Sequence, residues 1–275
     1  MQLERKLKIR WQKFFKFINP DILYRFMDII HSTHALKGRR QYMEDNIVLK
    51  NQKLVSFTTI LDGHGGSKCS DYMKINLFKK FLKLMKATKN PKVSLLNAIL
   101  KADIDFMKKH SKDDSGSTCN ALYVDKKNKK FVIANLGDSR ALIYTTGNKI
   151  RAITHDHKPT LQKEKKYIIG KGGFVSDGRT MGVLAMSRAL GDKSLKKVLN
   201  KTPDMFVGST KRIKYFVQAS DGLYDVMSNK MICNFINKSL KNNIDKTKIA
   251  KNLASYAINT RKSTDNTSVI ISFLN

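Results

Sequence analysis

Cysteine, proline and acid are all scarce in this chain. Three cysteines among 275 residues, Cys69, Cys119 and Cys233, are odd in number and form no Cys-x-x-Cys pair. That excludes a disulfide framework and a thiolate zinc site, and it fits a reducing, intracellular compartment, the cytoplasm before any other. Four prolines and no Pro/Ser/Gly-rich stretch leave no room for a long linker, so the chain reads as one domain with an N-terminal extension. No apolar run approaches the roughly 18 residues of a membrane span. Charges interrupt the apolar positions of the N-terminus, so no secretory leader is read there. Asp and Glu number 22 against 53 Lys and Arg, a net charge of +31. That excess predicts incidental attraction to polyanions or to an anionic membrane. A solvated lysine surface is the plainer reading of it.

The few acids stand at the ends of strand-like runs. Leu54 to Leu61, rich in β-branched and aromatic residues, stops at Asp62-Gly63-His64-Gly65-Gly66. Tyr215 to Ser220 stops at Asp221-Gly222, and Phe131 to Leu136 at Gly137-Asp138. In mirror order, Asp265-Asn266 opens Thr267 to Phe273, and Glu44-Asp45 opens Asn46 to Leu49. One Asp-Gly after a strand is an ordinary turn. Repetition changes the reading. In antiparallel pairs the end of one strand lies beside the start of the next, so these acids can gather on one edge. Clustered carboxylates repel unless protons or cations neutralise them, and a hard cation is bound by oxygen ligands of this kind.

These stretches also resemble a known family. Arg40-Gln41-Tyr42-Met43-Glu44-Asp45, Asp62-Gly63-His64-Gly65-Gly66, Gly137-Asp138-Ser139-Arg140, Ser187-Arg188-Ala189-Leu190-Gly191-Asp192, Ser220-Asp221-Gly222 and Asp265-Asn266 follow one another as do the motifs of the metal-dependent type 2C serine/threonine protein phosphatases. The likeness runs from about Gly38 to the C-terminus. It implies an α+β fold, a four-layer αββα sandwich of two antiparallel sheets flanked by helices. It implies a hydrolase that dephosphorylates phosphoserine and phosphothreonine in proteins with water activated at a binuclear Mg²⁺ or Mn²⁺ centre, acting as a monomer on phosphoprotein substrates. Carried over residue by residue, Asp62 bridges both ions and the Gly63 carbonyl reaches one of them. Asp221 and Asp265 hold the other, and Glu44 and Asp45 act nearby or through water. Asp138 and Asp225 match a weaker third metal site. Arg40 binds the phosphate, and His64 is the general acid for the leaving oxygen. Thr118 matches a motif position without an evident role. Tyr224 stands where the family usually has Trp, and Arg39 where an aromatic is common. Neither change removes an acid, which argues against a catalytically weak scaffold of the same fold. None of the cysteines has an arginine six positions on, as a phosphocysteine route would need.

Outside that likeness, Leu3, Leu7, Trp11, Phe14 and Ile18 recur at helical spacing among Arg5, Lys6, Lys8, Arg10, Lys13 and Lys16. The basic amphipathic helix over residues 1–18 either packs on the domain or lies on a membrane surface. The extension is read as residues 1–30 and the phosphatase-like domain as 31–275. Further helices are predicted over 67–87, 93–110, 162–170, 230–240 and 247–259. Residues 193–212 read as irregular and exposed. His155-Asp156-His157-Lys158-Pro159 has the composition of a metal site but reads as a structural loop.

Overall fold

The computed structural model describes residues 27–275. The helix expected over residues 1–18 lies outside the described residues. The described chain begins with β1 (Ile29–Leu36), β2 (Asn46–Asn51) and β3 (Val55–Leu61), then passes through β4 (Gly63–His64) into α1 (Lys68–Thr88) and α2 (Pro91–Lys109). Next come β5 (Gly116–Ser117), β6 (Cys119–Asp125), β7 (Lys130–Leu136), β8 (Arg140–Thr145) and β9 (Ile150–Ala152). Helix α3 (Gln162–Gly170) leads to three short strands, β10 (Val175–Ser176), β11 (Arg179–Thr180) and β12 (Leu190–Gly191). After β13 (Asp204–Ser209) and β14 (Ile213–Ala219) come α4 (Asp221–Tyr224), α5 (Asn229–Lys241), α6 (Ile249–Asn259) and β15 (Thr267–Leu274).

Two five-stranded sheets result, ordered β1-β15-β14-β8-β9 and β13-β7-β6-β3-β2. All their pairs are antiparallel. Side chains on a strand alternate between faces, and here both faces are apolar. On β6, Leu122 and Val124 enter one apolar cluster while Ala121 and Tyr123 enter another. On β14, Phe216 joins the cluster between the sheets, and Tyr215 and Val217 join the cluster on the opposite face. A sheet apolar on both sides must be covered on both sides. Helices α1 and α2 cover one sheet through Met73, Leu77, Phe81, Leu95, Ile99 and Phe106. Helices α5 and α6 cover the other through Ile232, Ile236, Leu253 and Ala257. Each fully buried Met, Leu, Ile or Phe among these contributes about 1.5–3 kcal/mol over its exposed state. The layers are helix, sheet, sheet, helix, as expected.

The predicted helices are present, α3 over the predicted residues and the others with shifted ends. Helix α2 starts before Val93 because the Asn90 side chain accepts from the backbone N–H groups of Lys92 and Val93, with Pro91 in the first turn. Residues 193–212 depart from expectation. They include β13, paired with β7 from Asp204↔Asn135 to Ser209↔Lys130. An edge strand buries little, so its residues show no clean alternation. Gly208 interrupts the pattern for a packing reason: a Cβ there would lie 2.6 Å from the Phe131 ring. Strand β1 begins at Ile29 and pairs with β15 along its length, from Ile29↔Leu274 to Leu36↔Thr267. Among the described residues no helix is long and apolar enough to cross a membrane.

Candidate metal and phosphate centre

The acids meet at one end of the sandwich. Asp62 follows β3 and Asp45 precedes β2, neighbours in one sheet. Asp221 follows β14, Asp265 precedes β15 and Asp138 precedes β8, all neighbours in the other. A cavity of about 790 Å³ there is lined by Arg40, Glu44, Asp62, Gly63, His64, Asp221, Asp225 and Asp265. Asp45 and Asp138 lie buried behind it.

Local backbone features fix each group. Gly63 is required because a Cβ would lie 2.4 Å from the Glu44 carbonyl oxygen. The Gly66 N–H, on a left-handed turn that favours glycine, donates to Glu44 Oε1 at 2.6 Å. Thr118 holds Asp62 from both sides of its backbone: its hydroxyl accepts from the Asp62 N–H at 3.0 Å, and its N–H donates to the Asp62 carbonyl at 2.8 Å. Asn266 clamps the Arg40–Asp45 loop. Its Oδ1 accepts from the Glu44 N–H, and its Nδ2 donates to the carbonyls of Lys37 and Tyr42.

The carboxylates crowd one another. Oxygens of Asp62, Asp138 and Asp221 lie within 4.8 Å of one another. Burial, then the charge of Asp45 and further acids, pushes Asp62 well above the usual carboxylate range. Burial, then Asp138 and Asp225, does the same to Asp221. Asp45 also rises, chiefly through burial. One ammonium offsets part of this: Lys158 Nζ donates to Asp138 Oδ2 at 2.5 Å. Burial opposes the charge on Lys158, yet Asp138 holds its pKa above the usual value. The buried Oδ1 atoms of Asp45 and Asp138 have no hydrogen-bond partner among the described residues. Converging hard oxygens, raised pKa values and unpartnered buried carboxylate atoms fit divalent cations such as Mg²⁺ or Mn²⁺.

Arg40 and His64 flank this group. Arg40 Nη2 lies 2.5 Å from Asp265 Oδ2 and remains largely exposed. His64 Nε2 donates to Asp192 at 2.8 Å from Oδ1 and 3.0 Å from Oδ2. Gly116 makes room for that pair, since a Cβ would lie 2.2 Å from both His64 Nε2 and Asp192 Oδ2. Asp225 caps α4 one turn beyond Asp221.

Sequence reasoning therefore named the acids, Arg40 and His64, which share one end of the fold. It gave no part to Asp192, Lys158, Asn266 or the hydroxyl of Thr118, although each lies inside a quoted motif. The tightest carboxylate group pairs Asp138 with Asp62 and Asp221, whereas Asp265 is engaged by Arg40. The His155–Pro159 stretch serves as a loop: Asp156 pairs with Arg140, and His157 Nδ1 accepts from the Gly137 N–H. All three cysteines are buried thiols whose pKa values burial raises, Cys119 to about 12.

Two facing antiparallel sheets, helix-covered and carrying an acidic cleft at one end, define an αββα sandwich with a carboxylate centre. The chain belongs to the protein phosphatase 2C family, whose model, Protein phosphatase 2C, matches residues 30–267. It is 37% identical over 207 residues to a probable protein phosphatase 2C of Oryza sativa, covering 71% of this chain and 54% of that one. A second Oryza sativa relative of the same description is 36% identical, covering 86% of this chain and 85% of that one. A serine-threonine phosphatase 2C from Toxoplasma gondii shares the fold, with a TM-score of 0.76 at 22% identity over 92% of this chain and 96% of that one. The chain spans about half the length of several curated relatives that it matches.

Proposed function

We propose that this chain hydrolyses phosphoserine and phosphothreonine in proteins, with two Mn²⁺ or Mg²⁺ ions in the acidic cleft and a weaker third beside them. The observation that carries this reading is the convergence of Asp62, Asp138 and Asp221 at a cavity that Asp62, Asp221, Arg40 and His64 line. Asp62, Asp221, Asp265 and the Gly63 carbonyl would hold the pair, with Glu44 and Asp45 nearby, and Asp138 and Asp225 would serve the third. Such ions offset the charge of the ester and lower the pKa of water.

The remaining work falls to the chain. Arg40 presents a planar guanidinium that can hold two phosphate oxygens, which an ammonium cannot copy. Its partner Asp265 holds it at the cleft. Asp192 fixes the His64 ring by Nε2, and Nδ1 has no partner among the described residues. Through this imidazole the chain would give a proton to a serine or threonine alkoxide as it departs; in the structure Nε2 is engaged by Asp192 and Nδ1 is buried. Residues Val183–Met186, with Ser194 and Leu195, wall the cleft and bound the space for a phosphoprotein segment. Buried thiols and the absence of Cys-x-x-Cys pairs fit a reducing, cytoplasmic setting.

Phosphopeptide hydrolysis by the purified protein should require added Mn²⁺ or Mg²⁺ and stop on chelation. Asp62→Asn should remove nearly all turnover while the circular dichroism spectrum stays that of the parent. A folded Asp62→Asn protein with near-parental turnover would overturn the reading.

A further inference from the structure

Hydrolysis at the acidic cleft needs charge and hydrogen bonds, yet two apolar side chains stand out of its lining. Among the described residues the two most exposed large apolar side chains are Tyr42, 67% exposed, and Val183, 64% exposed. Both residues line the cleft. A single exposed apolar side chain is ordinary on a protein surface. The two most exposed lining one cavity is not, because gathered apolar surface left open to water marks a place where something binds. Tyr42 stands in the loop between β1 and β2, and Val183 in the segment between β11 and β12.

Neither residue is loosely held. The Tyr42 carbonyl accepts from Asn266 Nδ2 at 3.0 Å, while its side chain has no hydrogen bond or ring contact among the described residues. The Val183 N–H donates to the Thr180 carbonyl at 3.0 Å, and the Val183 carbonyl accepts from Arg179 Nη1 at 2.8 Å. The next residue, Leu184, packs against the buried cluster of Met186, Ala189 and Leu199. The fold thus anchors both backbones and leaves both side chains to water. Tyr42 lies two residues beyond Arg40, which also lines the cleft. A phosphoserine whose phosphate meets Arg40 keeps its peptide neighbours close, one Cα step of about 3.8 Å away on either side. A large apolar neighbour there would cover Tyr42 and Val183 and release the water over them. A charged neighbour would lose hydration against them without a partner, glutamate excepted, which could reach Arg179.

We propose that Tyr42 and Val183 form a subsite for the residue beside the phosphorylated one, and that this subsite selects phosphoproteins with a large apolar side chain there. The proposal rests on the phosphatase reading of the cleft and adds which phosphoproteins it takes.

Steady-state hydrolysis by the full chain with Mn²⁺ tests it on three phosphoserine peptides. They are identical except that leucine, alanine or glutamate stands on both sides of the phosphoserine. An open apolar subsite works at the lower end of apolar discrimination, so kcat/KM for the leucine peptide should exceed that for the alanine peptide by about tenfold, chiefly through KM. The glutamate peptide should do no better than the alanine one. Tyr42→Ser combined with Val183→Ser should bring the leucine-to-alanine ratio below about twofold. Tyr42→Phe, which keeps the apolar ring, should retain the parental ratio. So should Ile75→Ser, which removes an exposed apolar side chain of α1 outside the cleft lining. Equal kcat/KM for the leucine and alanine peptides in the parent would overturn the proposal, and so would a parental ratio in the double variant. A preference for the glutamate peptide, lost in Arg179→Gln, would overturn it in favour of acidic substrates. Nitrophenyl phosphate has no peptide neighbours and reports the chemistry alone. If the parent hydrolyses it without ranking the peptides, the subsite fails and the phosphatase reading stands. If the parent hydrolyses neither it nor any peptide, that reading fails and the subsite with it.

Discussion

His64 has Asp192 on one nitrogen and a buried, unpartnered nitrogen on the other; as the proposed general acid, its importance must depend on the leaving oxygen. A serine alkoxide is strongly basic and needs a proton, whereas nitrophenolate leaves without one. His64→Gln should slow phosphopeptide hydrolysis by about 10²–10⁴-fold and nitrophenyl phosphate hydrolysis far less. Calorimetric Mn²⁺ affinity should hardly change. Equal slowing of both substrates, restored by extra Mn²⁺, would instead make His64 a support of the metal site. Arg40 gives a different signature: Arg40→Ala should raise KM chiefly, by removing a guanidinium poised at the mouth of the cleft. An unchanged KM would remove it from substrate binding. At this scale the sequence was legible where a motif carries the residue itself, as with Asp62, Arg40 and His64, which the fold brings to one cleft. It was illegible where the role is a contact. Asp192 meets His64 across 128 positions, and Asn266 meets Glu44 across 222. No spacing rule reaches so far.

The two sheets are joined by polar groups as well as by their apolar cluster. Thr58 on β3 donates to Gln218 Oε1 on β14, and Gln218 Nε2 donates to the carbonyl and the side-chain oxygen of Asn120 on β6. All three residues are buried. Gln218→Ala strands the partners in a dry interior and should cost about 2–4 kcal/mol in urea denaturation, with an unchanged m-value. A loss under about 0.5 kcal/mol would mean that water replaces the amide. The elements themselves were largely written in local pattern. The run ending at Asp62 forms β3, and the apolar spacing over 162–170 forms α3 between the same ends. β13 was hidden because an edge strand over a ring-packed glycine need not alternate. The pairing of four layers came from the family likeness, since period-2 patterns report faces and not which sheet a face meets.

Across the whole molecule, pH acts on stability through the fold. His31 on β1 shows how. Its Nδ1 contacts the Ser272 hydroxyl within its own sheet and its Nε2 contacts the Ser56 hydroxyl of the facing sheet, each at 2.9 Å. Burial, helped by the charge of Lys126, lowers its pKa from 6.5 to about 4. The folded chain therefore keeps this imidazole neutral where an unfolded chain would protonate it. Between about 6.5 and 4 the unfolded state binds more protons, so stability falls as pH falls through that window. A shift of this size corresponds to roughly 3 kcal/mol, fully present above the window and lost below it. Asp204 and Glu164, whose pKa values lie below the usual range despite burial because His157 and Arg188 hold them, lose their own contribution only at lower pH. Thermal denaturation at pH 7.5, 6 and 4.5 should therefore show most of the early acid loss in the parent. His31→Gln keeps a donor and an acceptor between the two serines but cannot titrate. It should be less stable than the parent at pH 7.5 by a packing difference alone and lose markedly less between pH 6.5 and 4.5. If the two proteins lose stability in parallel over that interval, His31 does not carry the acid sensitivity, and the other buried imidazole, His157, becomes the residue to substitute next.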